Sequence, residues 1–291
     1  MPLFDTHCHL QFKAFDGHRD EVIGRCLEKG MQMLTVGTQR DTSAAAVELA
    51  KTSHGQIFAA VGLHPIHLHP RFIDEKEGAF MSREEDFDDA HYRELAQAPE
   101  VIAIGETGLD FYHLPDDVPR DAVIKKQTAV FLQHVQLAKE LNKAMVIHCR
   151  AAYRELADAL RPHPEIRGTV HCFTGTEEEA EWLLGLGLHI GFTGIITFPP
   201  RAENPQAQER LLEAVRRVPL ERLLIETDAP YLAPAAYRGK QCEPWMVEEV
   251  AKKVAELKGL DVAIVKNATT ENAEKLFGIS DNPHTKSFIS W

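Results

Sequence analysis

Two rhythms alternate along this chain. Short runs rich in apolar and β-branched residues fall at Leu3–Thr6, Gln32–Val36, Ile57–Val61, Val101–Ile104, Ala144–Ile147, Gly168–Val170, Leu188–Phe192 and Leu223–Ile225. Most are followed by stretches whose apolar positions recur at helical spacing: His18–Lys29, Thr42–Ser53, Ile124–Leu141, Ala152–Leu160, Glu177–Leu184 and Gln206–Arg216, with Pro244–Lys258 and Val262–Phe277 closing the series. The first set reads as buried strands and the second as amphipathic helices. Parallel neighbours need a crossover long enough to return the chain, so strand–helix alternation points to an α/β fold with a parallel sheet. Eight such units predict one TIM-type (β/α)8 barrel domain over residues 1–280, with an open doubly wound sheet as the alternative.

The rhythm breaks once, in an insertion after the third strand at about residues 66–90 that carries the acidic run Arg83-Glu84-Glu85-Asp86-Phe87-Asp88-Asp89. Loops of this length tend to be functional or disordered. Residues 281–291 read as a loose tail.

Composition narrows the class. The chain has 291 residues, 44% hydrophobic and 26% charged, as a soluble globular protein should. No run approaches the roughly 18 apolar residues of a membrane span. A basic segment followed by an apolar one is also missing at the N-terminus, so a cytoplasmic location without membrane association is expected. The five cysteines are odd in number and form no Cys-x-x-Cys, which argues against a disulfide framework or a thiolate zinc site. A net charge of −12 excludes a global basic footprint. Any nucleic-acid partner is then held at few phosphates by local cations, and no obligate protein partner is inferred.

The catalytic groups of a β/α barrel come from the C-terminal ends of its strands. The first strand ends in His7-Cys8-His9. Residues two apart on a strand point the same way, about 6.5 Å apart. Two imidazoles so placed can share a metal at about 2.0–2.1 Å. The other ends carry His64 (third), Glu106 and Asp110 (fourth), His148-Cys149-Arg150 (fifth), His171-Cys172 (sixth) and Glu226-Thr227-Asp228 (eighth). Burying such a set together without a metal is costly. Imidazole suits zinc, and carboxylate extends the choice to manganese or magnesium. The set predicts two divalent ions, with His7, His9 and Asp228 at one, His148 and His171 at the other, and Glu106 as the bridge. Two ions so held can activate a water and stabilise the attacking and leaving oxygens. The remaining histidines, including His18, His54, His91, His134, His163 and His284, read as scattered surface groups, and His67 and His69 as loop residues. Cys8, Cys149 and Cys172 neighbour ligands on their strands, so they are expected to face the barrel–helix interface.

Seven segments together carry a family resemblance: Phe4-Asp5-Thr6-His7-Cys8-His9-Leu10, Val61-Gly62-Leu63-His64-Pro65, Ile104-Gly105-Glu106-Thr107-Gly108-Leu109-Asp110-Phe111, Val146-Ile147-His148-Cys149-Arg150-Ala151, His171-Cys172-Phe173-Thr174-Gly175, Ile225-Glu226-Thr227-Asp228-Ala229-Pro230-Tyr231-Leu232 and Arg238-Gly239-Lys240. In these the chain resembles the TatD family of metal-dependent hydrolases, within the amidohydrolase-like barrels. The resemblance implies a TIM-like barrel, divalent metal and DNase activity, often as a 3′→5′ exonuclease. It also implies metal binding at His7, His9, Glu106, His148, His171 and Asp228. The chain departs from the family pattern at Gln11, at Cys242 and in the insertion, which touches substrate preference more than chemistry.

Further roles follow from position. Asp228 and Glu106 are the expected catalytic carboxylates, Asp228 also serving as base for the attacking water. Arg150 can clamp a phosphate bidentately or pair with a rim carboxylate. His64 and Lys240 are expected at the substrate, and Asp110 and Glu226 behind the ligand histidines. The insertion is expected to wall the entrance, its acidic run repelling duplex flanks. The expected reaction is hydrolysis of DNA phosphodiesters at single strands or ends. A small-molecule amidohydrolase or phosphotriesterase is an alternative, although many such barrels use a carbamylated lysine where this chain has Glu106. Ester cleavage on aminoacyl-tRNA and a non-catalytic metal-binding role are the others.

Overall fold

The computed structural model describes residues 3–53, 55–115 and 117–279. The expected tail, His54 and His284 lie outside the described residues. Eight parallel strands form one sheet in chain order: β1 Leu3–Cys8, β2 Met31–Val36, β3 Ile57–Val61, β4 Val101–Asp110, β5 Ala144–Arg150, β6 Gly168–Val170, β7 His189–Phe192 and β8 Leu223–Ile225. The barrel is a nearly closed TIM type. Its seam lies beyond the strand ends: Cys8 bridges Ala229, Asp228 N donates to His7 O at 2.8 Å, and His9 N donates to Ala229 O at 2.7 Å. The backbone that closes the barrel therefore carries His7, His9 and Asp228. The helices are α1 Arg19–Glu28, α2 Arg40–Lys51, α3 Asp89–Leu95, α4 Arg120–Leu141, α5 Tyr153–Leu160, α6 Glu177–Gly185, α7 Pro205–Arg217, α8 Val247–Lys258 and α9 Val262–Phe277. None of the described helices is long and apolar enough to cross a membrane.

Alternation along the strands sorts side chains into two cores. Leu3, Met33, Ile57, Met145 and Ile225 pack outward against the helices, while Phe4, Leu34, Val36, Phe58, Val146 and Leu224 fill the barrel. The last turn of α9 joins the inner core through Ala273, Leu276 and Phe277. Phe4 lies between Phe58 and Phe277, with ring centroids at 6.1 and 6.3 Å. The end where the strands begin is thus plugged with apolar side chains, and polar chemistry is confined to the other.

Two strands run further than their apolar content suggests. β4 and β5 stay paired through Glu106 and His148 to Asp110 and Arg150. Their polar ends are strand because the ladder continues, not because the residues favour it. β1 holds an extra residue against β2, between Asp5 and Cys8, and β4 holds one against β5, between Ile104 and Thr107. An extra residue reverses the alternation of a strand. Phe4 accordingly faces the barrel interior while Cys8 faces the helices, leaving His7 and His9 to point inward. The bulge in β1 is tied down by the buried Asp5 carboxylate, which accepts from His7 N (3.3 Å), Thr227 N (2.9 Å) and Thr227 Oγ1 (2.5 Å). At Gly108, φ is +149° and a Cβ would run into the His148 carbonyl, so β4 and β5 approach closely only because no side chain is there.

The insertion forms a short turn, Pro65–Leu68, a two-stranded antiparallel ribbon, Phe72–Ile73 with Phe80–Met81, and α3. The acidic run is not an open negative rim. Asp88 pairs with Arg40 (2.6 Å), Glu84 with Lys126 (2.9 Å) and Asp89 with Arg93 (3.0 Å), while Glu85 accepts from Arg40 N (3.2 Å). Asp88, Glu85 and Glu84 thereby anchor the insertion to α2 and α4.

His134 also departs from expectation. It is fully buried on α4, not on the surface. Its Nδ1 contacts Val130 O (2.8 Å), and its Nε2 accepts from Leu63 N (3.0 Å), fixing the segment that presents His64. Burial lowers its pKa from 6.5 to about 4. Between these values the unfolded chain binds a proton that the folded chain refuses, so stability falls as pH drops through that window. Replacing His134 with Gln should flatten this dependence, which amounts to roughly 3 kcal/mol at its limit. Denaturant unfolding of both proteins at pH 7.5 and 5 measures it, and parallel loss in the two would refute the assignment.

Candidate metal centre

Glu106 is the hub of the rim. Its Oε1 lies 2.7 Å from His171 Nε2, 3.1 Å from His148 Nδ1 and 3.4 Å from His64 Nε2. Its Oε2 lies 3.4 Å from His7 Nε2 and 3.9 Å from His9 Nε2. Asp228 Oδ1 completes the second group, 3.2 Å from His9 Nε2 and 3.7 Å from His7 Nε2. One carboxylate oxygen faces one pair of imidazoles and the other faces the second pair.

The donor set fits metal ions. His7 Nε2 and His9 Nε2 stand 3.3 Å apart, as do His148 Nδ1 and His171 Nε2. A tetrahedral ion with bonds of about 2.1 Å has ligand–ligand edges of about 3.4 Å. His9 Nδ1 is 2.7 Å from Val36 O, which takes the ring proton and turns the Nε2 lone pair toward His7. Groups of ligand atoms close enough to hold one ion include His7–His9–Glu106, His7–His171–Asp228 and His64–Glu106–His148. His64 behaves differently from the rest. Its Nδ1 accepts from Ile66 N at 3.0 Å, so the neutral ring carries its proton on Nε2. Burial and His148 keep His64 well below its usual pKa and therefore neutral. It donates into the nest rather than ligating from Nε2.

Electrostatics tell the same story. Burial opposes charge on Glu106, yet His171, His64, His7 and His148 hold it well below the ordinary carboxylate range. Burial likewise opposes a proton on His9, but Asp228 and Glu106 raise it to about 9. Burial also opposes a proton on His148, which Asp110 and Glu106 raise to about 9. His7 is driven down to about 4 by burial and by His171. The carboxylates thus demand positive charge, which either protons or metal ions supply.

Behind the ligands, Asp110 Oδ2 stands 3.4 Å from His148 Nε2 and 2.7 Å from His113 Nδ1. Glu226 is wholly buried and lies 3.8 Å from His171 Nδ1, while accepting from Cys172 N (2.5 Å) and Thr6 Oγ1 (3.1 Å). Burial pushes its carboxyl up to about 7. A cavity of about 850 Å³ opens above the nest. His9, His64, Glu106, His148, His171 and Asp228 line it, and so does Arg150. Lys240 does not; its Nζ sits 5.9 Å over the Tyr237 ring, and Arg238 reaches the cavity instead. Cys8 and Cys149 pack outward, whereas Cys172 has a left-handed backbone (φ +47°) and lines the cavity, against expectation. His113, Arg71 and Phe72 also line it. Sequence reasoning passed over all three, although His113 follows Asp110 by one turn and the other two lie in the insertion.

Comparison with known proteins agrees with this geometry. The model of the family described as TatD related DNase matches residues 4–278. An uncharacterized metal-dependent hydrolase of Bacillus subtilis, YabD, is 37% identical over 96% of this chain and 100% of its own length. A protein of Rahnella named 3′-5′ ssDNA/RNA exonuclease TatD is 34% identical over 96% of this chain and 99% of its own. The crystal structure of YjjV, a TatD homologue from Escherichia coli, superposes with a TM-score of 0.77 at 27% identity, covering 95% of this chain and 98% of that one. The chain belongs to the TatD-related DNase family and is an enzyme of its metal-dependent hydrolase type.

Proposed function

We propose that the protein hydrolyses phosphodiester bonds at the ends of single-stranded DNA, as a 3′→5′ exonuclease using two divalent ions. The observation that carries this reading is Arg150. It shares a strand face with His148 and lines the cavity beyond the nest. Among the described residues no carboxylate pairs with it; its guanidinium lies 4.0 Å over the Tyr112 ring and 3.5 Å from His113 Nε2. An unneutralised guanidinium beside a metal nest suits a phosphate oxygen. The naming of several relatives as exonucleases supports the same reading.

Held by His7, His9, Glu106, His148, His171 and Asp228, divalent ions would supply a water of lowered pKa and polarisation of a phosphoryl oxygen. The chain's own groups then divide the work. Asp228, with a side chain 17% exposed against 4% for Glu106, is the more open of the two and takes the proton of the attacking water. Glu106 holds the two histidine pairs in register. His64 donates from Nε2 toward the reacting phosphate, and Arg150 holds an adjacent oxygen.

Chelated protein restored with Mg²⁺, Mn²⁺ or Zn²⁺ should cleave a labelled single-stranded oligonucleotide faster than the blunt duplex. Cleavage that survives exhaustive chelation, or none with any of the three ions, would overturn the proposal. Glu106→Gln should lower kcat/KM on the order of a thousandfold and reduce the bound metal per chain, which elemental analysis reads directly. Asp110→Asn should weaken metal binding by about 10–100-fold. Full metal occupancy in both variants would remove Glu106 and Asp110 from their assigned places.

A further inference from the structure

Exposed aromatic side chains are scarce among the described residues. Among the described residues the large hydrophobic side chains left exposed are Phe72, Met81, Tyr112, Leu132, Leu260 and Ile264. Only Phe72 (61% exposed) and Tyr112 (66%) of these are aromatic. Phe72 lines the cavity, and Tyr112 lies against Arg150, which also lines it. Arg71 Nη1 donates to His113 O at 3.4 Å, which pins the inserted ribbon to the loop after β4. Phe72 lines the same cavity as Arg71, Arg150, Glu106 and Asp228, and Tyr112 stacks under the Arg150 guanidinium.

The ribbon is braced, not loose. Ser82 N donates to Arg71 O (2.8 Å), and Ser82 Oγ donates to His67 O (3.3 Å). Across the rim, Tyr231 Oη donates to Asp74 Oδ1 (2.9 Å), and Lys76 Nζ donates to Pro230 O (3.1 Å). Phe72 pairs across the ribbon with Met81, itself 59% exposed, so an apolar surface is offered to solvent on a fixed support. Aromatic faces interleaved with arginines, next to a site for phosphate, suit a strand with unpaired bases.

We infer that Phe72 is a stacking platform for an unpaired base beside the scissile phosphate, while Arg150 holds a phosphate of the same strand. This rests on the phosphodiesterase reading and narrows it. The substrate must present a frayed or single-stranded end with its bases available, since a paired base offers no free face to Phe72. The residue determines specificity and takes no part in bond cleavage.

The test uses the metal-loaded full chain and two single-stranded thymidine octamers. One is intact, and the other is abasic at the last two positions of both ends, so the direction of cleavage does not matter. Phe72→Ala should raise KM for the intact octamer by about tenfold and leave kcat and the abasic octamer nearly unchanged. Phe72→Trp should keep the wild-type preference. Equal weakening of both octamers by Phe72→Ala, or an unchanged preference, overturns the platform while the phosphodiesterase reading stands. If the wild-type protein cleaves neither octamer, the phosphodiesterase reading fails and the platform falls with it.

Discussion

Glu106 has four imidazole nitrogens within 3.4 Å and almost no solvent of its own. A carboxylate buried to that degree is tolerable only where positive charge or hydrogen-bond donors surround it. The rim is arranged to meet this need, and much of the barrel's local irregularity follows. One extra residue in β1 turns His7 and His9 inward, and another in β4 lies beside Glu106 itself. A missing side chain at Gly108 lets β5 come close enough to bring His148 to Oε1. Without these extra residues His7, His9 and Glu106 would face the helices.

The seam of the barrel shows stability and chemistry sharing the same atoms. β1 and β8 meet through backbone bonds at His7, His9 and Asp228 and through the Asp5 carboxylate on Thr227. Removing metal therefore leaves the ligand positions held by main-chain bonds. The nest is preorganised, with its geometry set before an ion or substrate arrives. Its apolar counterpart is the plug of Phe4, Phe58 and Phe277 at the other end, which frees the rim from having to hold the core together.

Most of the fold was legible because short apolar runs such as Ile57–Val61 alternate with stretches of helical spacing such as Thr42–Ser53. The site was legible because its donors follow those runs. What escaped was set by tertiary geometry. The bulges carry no compositional mark, since an inserted residue in Asp5–Cys8 looks like any other. The ends of β4 and β5 are polar and belong to strands only through their pairing. Lys240 and Arg238 occupy one loop, whose path decides which of them reaches the cavity. His134 was detectable in principle: it follows Val130 and precedes Ala138 by four residues each, on the buried stripe of α4. Counting histidines as polar concealed it.

The overall charge of −12 gives a polyanion no long-range reason to approach. Attraction must therefore be local, and the structure separates its charges accordingly. Asp88, Glu84 and Asp89 of the insertion are engaged by Arg40, Lys126 and Arg93, while Arg71, Arg150, Arg201 and Arg238 line the cavity together with Asp74 and Glu77. Few phosphates can be met by so small a set, so binding that depends on them is only weakly weakened by salt. On the proposed function, discrimination would then fall to contacts that salt does not screen, at the metal nest and at the aromatic faces. On that same function, a net negative protein whose arginines gather at the cavity would favour a strand entering by its end over one lying along the surface.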